Sequence, residues 1–187
     1  MARGHTSDER LGRQDWLENA LAALSAKGQA GLSIQELSVA LGVSRGSFYW
    51  HFANRDDFIH ALLEHWYEEY TAVAPVAAEQ DGGTAEERLA RLMRLVHDQN
   101  LTRYDLTIRS LASRDSQFAR WVRKADRFRL RFIESLFRDM GFTENDIRIR
   151  ARCCLAYMAT EHELFDKLDR KHRSDLVDEL HAFLVRK

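Results

Sequence analysis

One proline and nine glycines are the only strong backbone breakers in 187 residues, less than half the usual share. A chain so short of turn formers cannot supply the frequent reversals of a β-sandwich or barrel. Ala and Leu together number 45, against 21 for Val, Ile and Thr, the balance of a helix-building chain. With 45% hydrophobic residues, a chain of this length can bury roughly 70% of its unfolded surface. The expected fold class is all-α.

Charge excludes little by itself. The 28 Lys and Arg stand against 29 Asp and Glu, so a nucleic-acid site has to be a local patch rather than a global excess. Residues 1–13 lack the apolar core of a signal peptide, and the longest apolar stretch, residues 72–78, is far short of the ~18 needed to cross a bilayer. These features lead to the expectation of a cytoplasmic protein with no membrane partner. Cys153 and Cys154 are adjacent and cannot staple distant segments, so both are read as reduced core or interface residues.

Isolated Gly, Ser, Thr and Asp signals cut the chain into about nine helices. The first, residues 15–26, carries Trp16, Leu17, Ala20, Leu21 and Leu24 on one face, with Gly28 as its stop. The second opens at Ser33 with a capping box to Glu36 and ends at Gly42. Short helices at 44–50 and 54–70 follow. After Gly82 and Gly83, Thr84 with Glu87 opens the fifth, which carries Leu89, Leu92, Met93 and Val96. The rest span 102–112, 115–140, 143–165 and 174 to the end.

Residues 33–50 read as helix, tight turn, helix. Ser38 is small where two helices must approach closely, Gly42 can adopt a positive φ at the reversal, and Val43 plugs the angle between them. Ser44 caps the second helix, leaving its positive end to face phosphate. In a helix-turn-helix this helix enters the major groove by its first residues. The polar side chains near that end are Arg45, Ser47, Tyr49 and His51, of which Arg45 suits guanine or phosphate. Ser33 and Arg55 open the flanking helices and suit phosphate contacts. Phe48 and Phe52 are expected in the core. An N-terminal arm carrying Arg3, Arg10 and Arg13 can also brush DNA.

Gly42-Val43-Ser44-Arg45-Gly46, Tyr49-Trp50-His51-Phe52 and Arg55-Asp56-Asp57-Phe58 occur in the order and spacing of the DNA-binding domain of the TetR family of bacterial transcriptional regulators, which residues ~14–62 resemble. The resemblance implies a homodimeric repressor released by a ligand, with Ser33, Ser44, Arg45, Ser47, Tyr49, His51 and Arg55 facing DNA. It departs from the pattern at Ser38, where Ala is common, and at Gln29, where an aromatic is. Arg45 and Arg55 stand where lysines are more usual and keep the charge. The expected division is a three-helix DNA-binding domain, 1–55, and a helical ligand-binding and dimerisation domain, 56–187.

In the second domain, the apolar arc of helix 143–165 spans roughly 200° at ~100° per residue, wider than one core contact needs. With the final helix it suggests a symmetric four-helix dimer contact built from Leu155, Met158, His162, Leu176, Leu180, Phe183 and Leu184. Arg129 falls on the apolar face of helix 115–140, while Arg120, Arg123, Lys124, Arg127, Arg131 and Arg138 fall opposite. A buried guanidinium needs a partner: Glu161 or another acid, or else an anionic ligand. Met93, Val96, His97, Asn100, Trp121, Phe128, Phe132, Tyr157, Met158 and Glu161 converge with Arg129 on one interior, which is either plain core or a small-molecule cavity. A hydrophobic ligand, with a carboxylate for Arg129, is the expected effector.

No Gly-rich phosphate loop, nucleophile elbow or paired carboxylates stand in an apolar setting, so an enzyme is not expected. His60 and His65 are five apart rather than three or four, which argues against a metal site; no cofactor is expected either. The alternative to small-molecule release is a helix-turn-helix protein controlled by a protein partner.

Overall fold

The computed structural model describes residues 11–164 and 170–187, with the side chains of 162–164, 170 and 171 left aside. Among these residues the secondary structure is helical throughout: α1 (Arg13–Lys27), α2 (Ile34–Leu41), α3 (Arg45–His51), α4 (Arg55–Tyr67), α5 (Val73–Gln80), α6 (Ala85–Asp98), α7 (Asp105–Ala112), α8 (Ser116–Asp139), α9 (Glu144–Leu164) and α10 (Arg170–Val185). A π turn, Glu68–Ala72, joins α4 to α5 without leaving helical geometry. The expected helix of residues 54–70 therefore continues to Gln80. Two compact units result, Met1–Leu62 and Leu63–Lys187. The division falls inside α4, whereas the expected boundary at residue 55 lies at that helix's first residue.

In the N-terminal unit, α1 buries the five residues its periodicity singled out, Trp16, Leu17, Ala20, Leu21 and Leu24. Phe48 of α3 and Phe52, which caps that helix, are also buried and meet Phe58 of α4 at ring-centroid distances of 5.3 and 5.0 Å, with Trp16 5.5 Å from Phe48. Such edge-on stacks add about 0.5–1.5 kcal/mol each beyond burial. A 3₁₀ turn, Gly28–Leu32, folds back on α1. A Cβ at Gly31 would sit 2.2 Å from the Ala23 carbonyl oxygen, so only glycine lets this turn lie against the helix.

The reversal between α2 and α3 follows its sequence signals. Gly42 takes φ 68° and ψ 27°, and the Val43 amide donates to the Ser38 carbonyl at 3.0 Å. Ser38 is buried, its hydroxyl donating to the Ile34 carbonyl at 2.7 Å. One expectation fails. Ser33 stands at the cap position of α2 but makes no capping bond, and Glu36 pairs instead with Lys27 at 2.8 Å. A nearby ammonium competes better for a carboxylate than a neutral backbone amide does. The capping box at α6 does form, the Thr84 amide donating to Glu87 at 2.8 Å and the Glu87 amide to Thr84 at 3.2 Å.

In the C-terminal unit α8 is the central helix. Phe118, Trp121, Val122, Ala125, Arg129, Ile133, Leu136 and Phe137 are buried, while Arg120, Arg123, Lys124, Arg127, Arg131 and Arg138 are exposed, as the 3.6-residue period requires. Its three acids turn toward other helices, Asp126 to Arg109, Glu134 to Arg152 and Asp139 to Arg88. Cys154 is buried and Cys153 exposed; burial pushes the Cys154 thiol up to about 12, so it stays protonated and inert at neutral pH. No described helix is long and apolar enough to cross a membrane.

Candidate functional site

The N-terminal unit presents an exposed face formed by the starts of three helices. Ser33, Ser44, Arg45 and Arg55 are exposed and stand at the starts of α2, α3 and α4. Neither Ser33 nor Ser44 uses its hydroxyl as a cap. Arg45 Nη2 donates to Gln35 Oε1 at 3.1 Å, which joins the first turns of α2 and α3 and holds the guanidinium in place. At the start of α4, the Asp57 amide donates to Asn54 Oδ1 at 2.9 Å and the Ala53 amide to the Asp57 carboxylate at 2.8 Å. This reciprocal cap fixes where Arg55 begins.

Along α3 the register separates core from surface. Phe48 and Phe52 face inward, Ser47 and His51 are half-buried, and Tyr49 and Trp50 point out with 62% and 89% exposure. Trp50, a step of two from Phe48, lies about 200° round the helix from it. Sequence reading missed Gln35, because only the packing of α2 on α3 brings it to Arg45. Of the N-terminal arm's three arginines, Arg13 lies 5.3 Å over the Phe52 ring; Arg3 and Arg10 fall outside the described residues. Residues 1–62 carry six cations against seven anions, so any attraction to phosphate depends on where the arginines stand.

The C-terminal unit holds two adjoining cavities. The first, about 420 Å³ and open on one side, lies among Tyr70, Thr71, Pro75, Leu92, Phe132 and Ile133, with Arg129 and Leu155 also in its wall. The second, about 260 Å³, is lined by Met93, His97, Tyr157, Glu161 and Val177. Val96, Thr102 and Met158 belong to both. Burial and the adjacent Glu161 carboxylate push the Tyr157 phenol above its usual value.

Seven of the ten expected cavity residues thus line one chamber or the other, and three do not. Asn100 takes φ 49° just beyond α6 and ends that helix; a short polar side chain tolerates this left-handed conformation. Trp121 and Phe128 each lie 5.7 Å from the Tyr67 ring, and the Lys124 ammonium sits 4.1 Å from both Tyr67 and Trp121. They form a separate aromatic cluster closed by a cation. Residues 70–75 were missed because the π turn that aims them inward has no sequence signature.

Arg129 is buried, and its partner is Asp105 rather than Glu161. Nη1 pairs with Oδ2, and Nη2 donates to Oδ1 at 3.2 Å, to Thr71 Oγ1 at 2.7 Å and to the Tyr70 carbonyl at 3.2 Å. Asp105 is fully buried. The charge that a ligand carboxylate was expected to meet is already matched inside the protein.

The expected dimer residues also divide. Leu155 and Met158 line the cavity, and Leu184 is buried at 1% exposure within the chain, where α10 packs on α6. The side chain of His162 lies outside the described residues. Leu176 and Phe183 are exposed at 38% and 67%, and Leu180 is half-buried. On α9 the exposed apolar positions among the described side chains are Ile149, Cys153 and Ala156.

A small residue, a left-handed glycine, an apolar plug and an exposed second helix define a helix-turn-helix unit, and a larger helical unit follows it. Residues 17–62 match the sequence profile of bacterial regulatory proteins, tetR family. The chain is 28% identical over 81 residues to the HTH-type transcriptional regulator TtgR of Pseudomonas putida, covering 43% of this chain and 39% of that protein. It is 36% identical over 64 residues to the HTH-type transcriptional regulator AcrR of Shigella flexneri, covering 34% and 30%. These matches span less than half the length of either relative. A TetR-family transcriptional regulator from Rhodococcus sp. has the same fold, with a TM-score of 0.74 at 18% identity over 96% of this chain and 100% of that one. The family likeness therefore rests on the helix-turn-helix region, residues 17–62, while the whole chain shares the fold of that solved structure.

The buried pair makes a direct prediction. Asp105→Ala leaves the Arg129 guanidinium uncompensated and is expected to cost about 3–5 kcal/mol, read as a loss of urea resistance. Asp105→Leu combined with Arg129→Met should recover most of it. If Asp105→Ala unfolds as late as the parent, the pair is not the tie described.

Proposed function

We propose that the protein is a repressor that binds an inverted-repeat operator as a homodimer and is released by a small hydrophobic molecule. Residues 1–55 would read DNA and 56–187 would bind the effector and form the dimer. The observation that carries the reading is the exposed side of α3, where Arg45 is held by Gln35 beside Tyr49 and the fully displayed Trp50. Major-groove reading needs side chains on a fixed helix, and phosphate contacts need unengaged hydroxyls and cations beside it. Ser33, Ser44 and Arg55 supply the latter, with Ser47 and His51 as shorter-reaching neighbours.

A two-fold dimer follows from the apolar positions left uncovered. Ile149, Cys153 and Ala156 recur at helical spacing on α9, and Leu176, Leu180 and Phe183 do so on α10. A symmetric contact buries both stripes at once and closes on itself. Two reading units would then recognise two mirrored half-sites. An effector releases DNA only by preferring a state that no longer fits that spacing, and only to the extent of its differential affinity.

Arg55→Ala is expected to weaken binding to all duplexes and to lower the slope of log affinity against log salt by about 0.9, one phosphate contact. Arg45→Ala should instead lose about 1–3 kcal/mol of discrimination between operator and mismatched duplexes. Titrations of labelled duplexes at several salt concentrations separate the two, and salt-independent binding by the parent protein would refute both. In sedimentation, Phe183→Glu is expected to weaken the dimer by at least about tenfold, from the loss of one buried aromatic. A parent protein that sediments as a monomer at micromolar concentration would refute the assembly.

A further inference from the structure

We propose that the first cavity selects an uncharged, hydrocarbon-like effector and rejects carboxylates and amines of the same shape. The proposal rests on the reading of this cavity as the effector site and adds the chemical class of what enters it. Its basis is the state of the polar groups in the wall. Four side chains there carry nitrogen or oxygen, and each already has a partner within the protein. Arg129 is bound by Asp105, and Thr71 Oγ1 accepts from Arg129 at 2.7 Å. The Tyr70 hydroxyl accepts from Arg103 Nη2 at 2.6 Å, and Thr102 Oγ1 donates to the Met158 carbonyl at 2.9 Å. The remaining lining is carbon and one thioether, from Ala74, Pro75, Leu92, Val96, Phe132 and Met158 among others.

A polar ligand entering such a space gives up its water and finds no group prepared to replace it. Burial of an unpartnered charge is far more costly than burial of a methylene. To engage Arg129, a carboxylate would have to displace Asp105, which is fully buried and holds the guanidinium through both oxygens. The adjoining chamber offers an anion no better place, since its wall contains the buried Glu161. An ammonium also gives up its water, and the acid nearest the first chamber, Asp105, is already taken by Arg129. A neutral apolar body, by contrast, gains contact with the lining and disturbs none of the four internal bonds.

Three probes with one ring system test the proposal: naphthalene, 1-naphthoate and 1-naphthylmethylammonium, titrated against the full chain by quenching of tryptophan fluorescence and by thermal shift. Naphthalene is expected to bind and to raise the melting temperature, with both charged probes at least about tenfold weaker. Met158→Trp, which fills the space shared by the two chambers, should abolish naphthalene binding; if this variant does not fold, the comparison on the parent protein still decides. Naphthoate or the ammonium binding as tightly as naphthalene would overturn the selectivity while leaving the cavity an effector site. If none of the three binds, the cavity is ordinary core, and both the effector site and its selectivity fall. Release of operator DNA by naphthalene is scored separately, because it tests coupling to DNA rather than the chemistry of the wall.

Discussion

The guanidinium of Arg129 gathers three parts of the C-terminal unit onto one charge. Asp105 begins α7, Arg129 stands midway along α8, and Thr71 and the Tyr70 carbonyl belong to the π turn between α4 and α5. A buried ion pair contributes little net stability against an apolar replacement, because both ions lose their water. Its strength lies in what it forbids. No register shift of α8 against α7 keeps Arg129 matched, and an unmatched guanidinium there is prohibitive. The same contacts leave the adjoining cavity apolar in character although an arginine stands in its wall.

The proposed reading face works under a different constraint. Its unit has no net positive charge, so any affinity for phosphate has to come from position, not from a long-range field. The serines that start α2 and α3 leave their hydroxyls outside the helices' own caps, while Asn54 and Asp57 cap α4 fully. Below this surface the stack of Trp16, Phe48, Phe52 and Phe58 anchors α3. A helix of seven residues is too short to hold its shape alone, and tertiary packing supplies what propensity does not.

Much of this was legible before any coordinates. Helical periodicity placed the buried face of α1 and both faces of α8, including the isolated arginine on the apolar side, because side-chain direction along a helix depends only on residue number. The turn at Gly42 was legible because only a residue without a Cβ takes that conformation freely. The same reasoning failed wherever it had to say what a face meets. Leu155, Met158 and Leu184 were expected at a partner contact, whereas the first two line a cavity and the third is buried within the chain, since a stripe looks alike whether a cavity, a neighbouring helix or a second copy covers it. Trp121 and Phe128 point inward as expected, but Tyr67 and Lys124 receive them before the cavity does.

By itself the sequence determined the class of fold, the placement of most helices and which side of α3 is exposed, all of which follow from interactions within a few residues along the chain. Tertiary structure decided the partner of Arg129, the π turn that brings Tyr70 and Thr71 to it, and the division of one expected cavity into two chambers. Those depend on which distant segments come into contact. Asp105 lies 24 residues from Arg129 and Thr71 lies 58, and no periodicity within a helix specifies a meeting across such separations.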